Sequence, residues 1–133
     1  MKAMTAKISK PLNEGTVLVC ADNSGSKTMR MITRKGYTGV MRRNPRAGIG
    51  DVIVCAVLKG KEKLRHTVVY AVIVRQKKAF RRPDGTRVKF TDNAAVLVNP
   101  KTFDPVGTEI RSAVAKEVVE KYTTIGKISS IVI

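Results

Sequence analysis

The sequence predicts a mainly β fold: a five-stranded antiparallel barrel with a protruding basic β-ribbon and a short C-terminal helical segment. Short runs rich in valine and isoleucine recur along the chain, each of strand length rather than helix length. Turn-forming Gly, Asn and Asp separate them, at spacings mostly too short for crossover helices. Finally, 26 Lys and Arg stand against only 10 Asp and Glu, a formal net charge of +16.

The β-forming runs are residues 16–21, 28–33, 52–58, 67–74 and 94–98. Between them lie residues 22–25, 36–50 and 58–66 and the pair Asp84-Gly85. Five strands so spaced suit an antiparallel barrel, and closure also removes the sheet edges that charge alone would otherwise have to protect. Val17, Val19, Val54, Val72, Val74 and Val96 are the core-facing candidates, although the continuous apolar runs blur which parity points inward. The chain reads as one domain over 1–133, with the barrel at about 15–98 and the C-terminal segment at about 104–133. At 43% hydrophobic residues it can build a core without disulfide or metal.

The C-terminal third changes character. Asn99-Pro100 and Asp104-Pro105 break the strand pattern, and Ser112 is an N-cap candidate for a helix over 113–121. In that helix Val114, Val118, Val119 and Tyr122 share a face. Ile125, Ile128, Ile131 and Ile133 then fit either a helical turn or a strand. Bare RNA offers little to such a greasy tail, whereas a protein groove or the barrel end does.

The most basic stretch is 75–90. Pro83-Asp84-Gly85 is a turn signal, with Pro pre-set at the second turn position and Gly able to take positive φ. A three-residue loop closing on Arg82 and Thr86 pairs Phe80 with Val88, Lys78 with Phe90 and Arg81 with Arg87. A two-residue loop would oppose Arg82 and Arg87 instead. Either way like charges face each other, which destabilises a ladder unless an anion lies between them. Arginine suits phosphate, because its planar fork donates two parallel hydrogen bonds. Arg75, Lys77, Lys78, Arg81, Arg82, Arg87 and Lys89 are therefore candidate RNA-binding residues. The alternative is a solvated edge ribbon that uses charge against aggregation.

Arg42, Arg43 and Arg46 form a second candidate set, in a loop whose glycines let backbone approach a ligand. The segment 59–65 mixes Glu62 with lysines and reads equally well as a plain solvated loop. Chemistry is poorly represented. The single histidine, His66, adjoins Arg65, and two distant cysteines with one histidine make no metal site. Asp22, Asp51, Asp84 and Asp92 adjoin Gly or Asn in turns, a structural use. No cofactor fingerprint or paired nucleophile is present, so neither catalysis nor a cofactor is expected.

Cys20 and Cys55 lie in apolar runs and read as buried thiols in a reducing cytosol. No apolar stretch reaches bilayer length, no basic amphipathic helix is visible, and the first residues lack a signal-peptide core. A cytoplasmic protein without membrane contact is the expectation. A strand-face module for single-stranded nucleic acid would need exposed aromatics, and these are only 5% with no Trp.

Several motifs in order carry a resemblance. Ala71-Val72-Ile73-Val74, then nine residues, Asp84-Gly85, and then Phe90, Asn93 and Val96-Leu97 is very similar to the signature of the universal ribosomal large-subunit protein fourteen family. Cys20-Ala21-Asp22-Asn23-Ser24-Gly25, Ala47-Gly48-Ile49-Gly50-Asp51 and Gly107-Thr108-Glu109-Ile110-Arg111 match it too. Arg75-Gln76-Lys77-Lys78 resembles the archaeal and eukaryotic branch, and the short N-terminus resembles an archaeal member.

The resemblance implies a structural role in the large ribosomal subunit: binding large-subunit rRNA, with Arg111 among the contacts. It also implies facing small-subunit rRNA across an inter-subunit bridge. Neighbouring ribosomal proteins and factors that control subunit joining are further implied partners, with Val114, Val118, Tyr122, Ile128 and Ile131 as protein-interface candidates. Where the family usually carries Gly-Pro before its helix this chain has Ser112-Ala113, so the helix entry is expected to differ.

Overall fold

A computed structural model describes residues 3, 4 and 6–133. In chain order the strands are β1 (Leu12–Asn13), β2 (Val17–Cys20), β3 (Ser26–Arg34), β4 (Arg46–Ala47), β5 (Val52–Gly60), β6 (Val68–Arg75), β7 (Phe80–Arg81), β8 (Arg87–Val88), β9 (Ala94–Val98) and β10 (Ile110–Val114). Two short helices follow, α1 (Lys116–Lys121) and α2 (Thr123–Ile128), and then β11 (Ser129–Val132).

The five β-branched runs become β2, β3, β5, β6 and β9, which close in that order into a barrel. Four of the five seams are antiparallel, but β2 and β9 run parallel, with Val19 beside Ala94 and Cys20 beside Ala95. The expectation of a wholly antiparallel barrel is corrected here. Five strands that alternate in direction around a ring cannot all be antiparallel, so one seam must be parallel.

Parity also differs from expectation in the first strand. Leu18 is fully buried while Val17 and Val19 are 54% and 43% exposed, so β2 turns its leucine inward. In β5 it is Ile53, Cys55 and Val57 that are buried, and Val54 is only half-buried. Val72, Val74 and Val96 are buried as expected. In β6 from Ala71 to Arg75, and throughout β9, both faces are covered. The outer cover is the C-terminal segment: β10 packs on β6, and the Ala115 N–H donates to the Val74 carbonyl. Two-sided burial is why those runs are continuous rather than alternating.

The helix begins later than the sequence suggests. Ser112 and Ala113 extend β10, and α1 starts after Ala115, which caps it without a side-chain hydrogen bond. Parallel pairing with β11 holds Ala113 against Ile131 and Val114 against Val132, and this pairing overrides the weaker N-cap preference of Ser112. The isoleucine-rich end is both alternatives at once, since Ile125 and Ile128 lie in α2 and Ile131 in β11. Val114, Val118 and Tyr122 are buried at 0%, 0% and 5%, which removes them as interface candidates and makes them core. Ile128 packs partly buried against the same core.

Both cysteines are free thiols. Burial pushes the Cys55 thiol up to about 12, and burial reinforced by the Asp22 carboxylate, which accepts the Cys20 S–H, does the same for Cys20. At mildly alkaline pH the folded protein should therefore resist iodoacetamide at both positions, and alkylate readily in urea. Rapid alkylation of Cys20 without denaturant would show that this end of β2 opens.

Candidate nucleic-acid interface

The ribbon closes as its turn chemistry dictates. Arg82 N–H donates to the Thr86 carbonyl at 2.9 Å, Phe80 pairs with Val88, and Arg81 stands opposite Arg87. Gly85 takes a φ of +92°, and the Asp84 carboxylate accepts hydrogen bonds from the Thr86 hydroxyl and N–H. Those bonds hold the Asp84 carboxyl below its usual range. The pairing stops after two residues a side. Phe90 N–H reaches the Gln76 carbonyl at 3.3 Å, so Lys78 does not face Phe90 as the ideal register would have it. Gln76 lies at the slip. It is fully buried, its side chain accepts from Ile49 N–H and donates to the Lys78 carbonyl, and Lys77 and Lys78 beside it are exposed and outside the ribbon pairing.

Two of the candidate cations are already committed within the fold. Arg75 is 7% exposed, pairs bidentately with Asp92 at 2.8 and 3.0 Å, and donates to the Ala113 carbonyl at 2.7 Å. It joins the barrel to β10 and is not a surface contact. Arg75→Ala would leave the Ala113 carbonyl and a half-buried carboxylate unpaired, at a cost of about 3 kcal/mol in urea denaturation. The salt dependence of RNA binding should stay unchanged in that variant. Arg82 forks onto Glu117 at 2.7 and 3.4 Å and donates to the Ile133 carbonyl. The tip of the ribbon is thus anchored on α1 and the chain end.

The remaining cations are exposed. Arg42, Arg43, Arg46, Lys77, Lys78, Arg81, Arg87 and Lys89 enter no ion pair among the described residues. Arg111 has only a surface partner, Glu109 at 3.3 Å, a pair that stabilises little. In the arginine loop, Arg42 takes a φ of +75°, a conformation that costs a non-glycine residue about 1 kcal/mol or more. The Tyr37 hydroxyl donates to the Arg43 carbonyl and braces the loop.

Tertiary structure adds cations to this loop. Lys10 and Arg34 line a hollow with Arg43 and Arg46. Arg34 ends β3 just before the loop, whereas Lys10 is distant in the chain and is brought close by the pairing of β1 with β4. On the other flank of β1 an open groove is lined by Pro11, Leu12, Lys77, Lys78, Lys89 and Phe90, among others. β1 and the residues before it thus border both basic hollows, and among the described residues only Lys10, of the lysines and arginines lining the two, is ion-paired, with Asp51 at 3.9 Å.

This barrel, with its ribbon and C-terminal cover, can be set beside known proteins. Residues 11–133 match the family model described as Ribosomal protein L14p/L23e. The chain belongs to that family. Relatives similar over their whole length include the large ribosomal subunit protein uL14 of Methanothrix thermoacetophila, 47% identical, and those of Natronomonas pharaonis at 43% and Haloarcula marismortui at 42%. Each alignment covers 100% of both chains. Membership of L14p/L23e makes the protein a structural, non-enzymatic ribosomal component, and these relatives are archaeal. No helix among the described residues is long and apolar enough to cross a membrane.

Proposed function

We propose that this L14p/L23e member is a structural constituent of the large ribosomal subunit, and that it binds large-subunit rRNA and contributes to the interface with the small subunit. The observation that carries the RNA reading is the set of exposed cations beside β1, of which only Lys10 has a carboxylate partner among the described residues, Asp51 at 3.9 Å, together with the opposed Arg81 and Arg87 on the ribbon. A folded domain with a formal charge of +16 is offset most directly by a polyanion, and the arginine forks match phosphate geometry. The names of its relatives agree with a place in the large subunit. Tagged protein should co-sediment with large subunits at moderate salt, and migration only as free protein would end this reading.

A protein-facing surface is supported at the chain end. Ile131, Val132 and Ile133 remain 50%, 46% and 49% exposed although β11 is paired along β10. Contiguous apolar exposure of this kind marks a contact surface, and we assign it to a neighbouring ribosomal protein or a factor controlling subunit joining. Truncation after Lys127 would remove β11 and the Ile133 carbonyl that Arg82 uses, so it cannot separate folding from contact. The Ile131→Ser/Val132→Ser pair keeps the backbone. It should weaken recruitment of the neighbouring proteins, and normal recruitment by the folded variant would leave those side chains only a sealing role.

A further inference from the structure

We infer that the groove between β1 and the base of the ribbon holds a single unstacked nucleobase of the RNA. The inference rests on the rRNA-binding reading above and names one contact within it. The groove has a volume of about 870 Å³, within the range of small-ligand sites and far larger than a lone phosphate requires. Its lining is divided by chemistry. Pro11, Leu12 and Phe90 form the floor, with Leu12 and Phe90 nearly buried, while the exposed Lys77, Lys78 and Lys89 stand at the rim. No carboxylate lines it.

An apolar floor gains nothing from phosphate, and a lysine rim gains nothing from an apolar peptide. A nucleotide satisfies both, with its flat ring on the floor and its flanking phosphates against the ammonium groups. Unstacked bases of structured RNA are commonly received on such surfaces, where an aromatic ring adds stacking. The hollow that Lys10 and Arg34 form with the arginine loop contrasts with this one. It is smaller, about 460 Å³, and Lys10, Arg34, Arg43 and Arg46 line it with Tyr37 and Asn44 and no aliphatic side chain, which suits backbone phosphate.

Asn93 supplies a polar contact at the wall of the groove. Its Oδ1 accepts the Lys77 N–H at 2.9 Å, which fixes which end of the amide is oxygen. The Nδ2 donors are left for a ligand, since they have no partner among the described residues. A base carbonyl, such as O2 or O4 of a pyrimidine or O6 of guanine, is the matching acceptor.

The test is ultraviolet cross-linking of the full-length protein to large-subunit rRNA, with the joined peptide and nucleotide identified by mass spectrometry. Cross-links from Lys77, Lys89 or Phe90 to a nucleotide that is unpaired in the rRNA are expected. Asn93→Asp keeps the acceptor for Lys77 N–H but removes the donor. It should lower that cross-link up to about tenfold, in the range of one lost hydrogen bond to a base, while cross-links at Arg42 and Arg81 persist. Cross-links at the loop and ribbon with none in the groove, or groove cross-links only to paired nucleotides, would overturn the inference and leave rRNA binding intact. No cross-link anywhere on the protein would instead overturn the rRNA reading itself. A groove cross-link unchanged in folded Asn93→Asp would overturn the assigned role of the amide.

Discussion

Charge reversal at Arg81 and Arg87 should abolish rRNA association at moderate salt, and the milder alanine pair should flatten its salt dependence. The two guanidiniums stand directly opposite each other on exposed positions of the ribbon. Because the closing hydrogen bond runs from Arg82 N–H to the Thr86 carbonyl, the Arg81–Arg87 pair falls where opposed side chains lie closest in an antiparallel ladder. Bound phosphate relieves that repulsion, and each phosphate contact contributes roughly 0.7 to 0.9 to the log–log salt slope. Arg81→Ala/Arg87→Ala should therefore lower the slope by about 1.4 to 1.8, since two contacts are lost. Stability should be unchanged or slightly raised, because removing opposed like charges relaxes the free ribbon. An unchanged slope in filter binding across a salt series would make the ribbon a solvated edge.

Arg82→Ala should have the opposite profile, a large loss of stability and a loss of ribbon order. Glu117 is 4% exposed and Arg82 18%, and the guanidinium also holds the carbonyl of Ile133. Removing one member of a buried pair costs about 3–5 kcal/mol, because the partner charge is left uncompensated. The ribbon tip would also lose its anchor on α1 and β11. Urea denaturation measures the first effect, and faster amide exchange across β7 and β8 measures the second. A destabilisation below about 1 kcal/mol would mean that Glu117 finds solvent when Arg82 is absent. Adjacent arginines thus divide their work: Arg81 faces the solvent, and Arg82 holds the ribbon down.

Much of this was legible in the chain. The strands show because β-branched runs bounded by Gly, Asn and Asp have few other conformations open to them. The turn shows because Pro83, Asp84 and Gly85 each fit only certain turn positions, which narrows the partner of Arg87 to Arg81 or Arg82, and the structure selects Arg81. The parallel seam between β2 and β9 was also within reach, since an odd number of strands cannot close otherwise. Inward parity in β2 was not, as Val17, Leu18 and Val19 are all apolar and pattern alone does not choose among them.

What the sequence determined by itself was the local chemistry: where the five barrel strands lie, where the hairpin turns, and that a basic chain of this kind wants a polyanion. Only the tertiary structure decided which charges are available to one. Arg75 and Arg87 look alike by residue type, yet Arg75 lies against Asp92 and the Ala113 carbonyl, while Arg87 has no ion-pair partner among the described residues. Lys10 joins the arginine loop, and Ser112 becomes strand rather than cap, for the same reason. An ion pair or a strand pairing between residues far apart in the chain depends on which segments meet in space, and short-range propensity carries no information about that meeting.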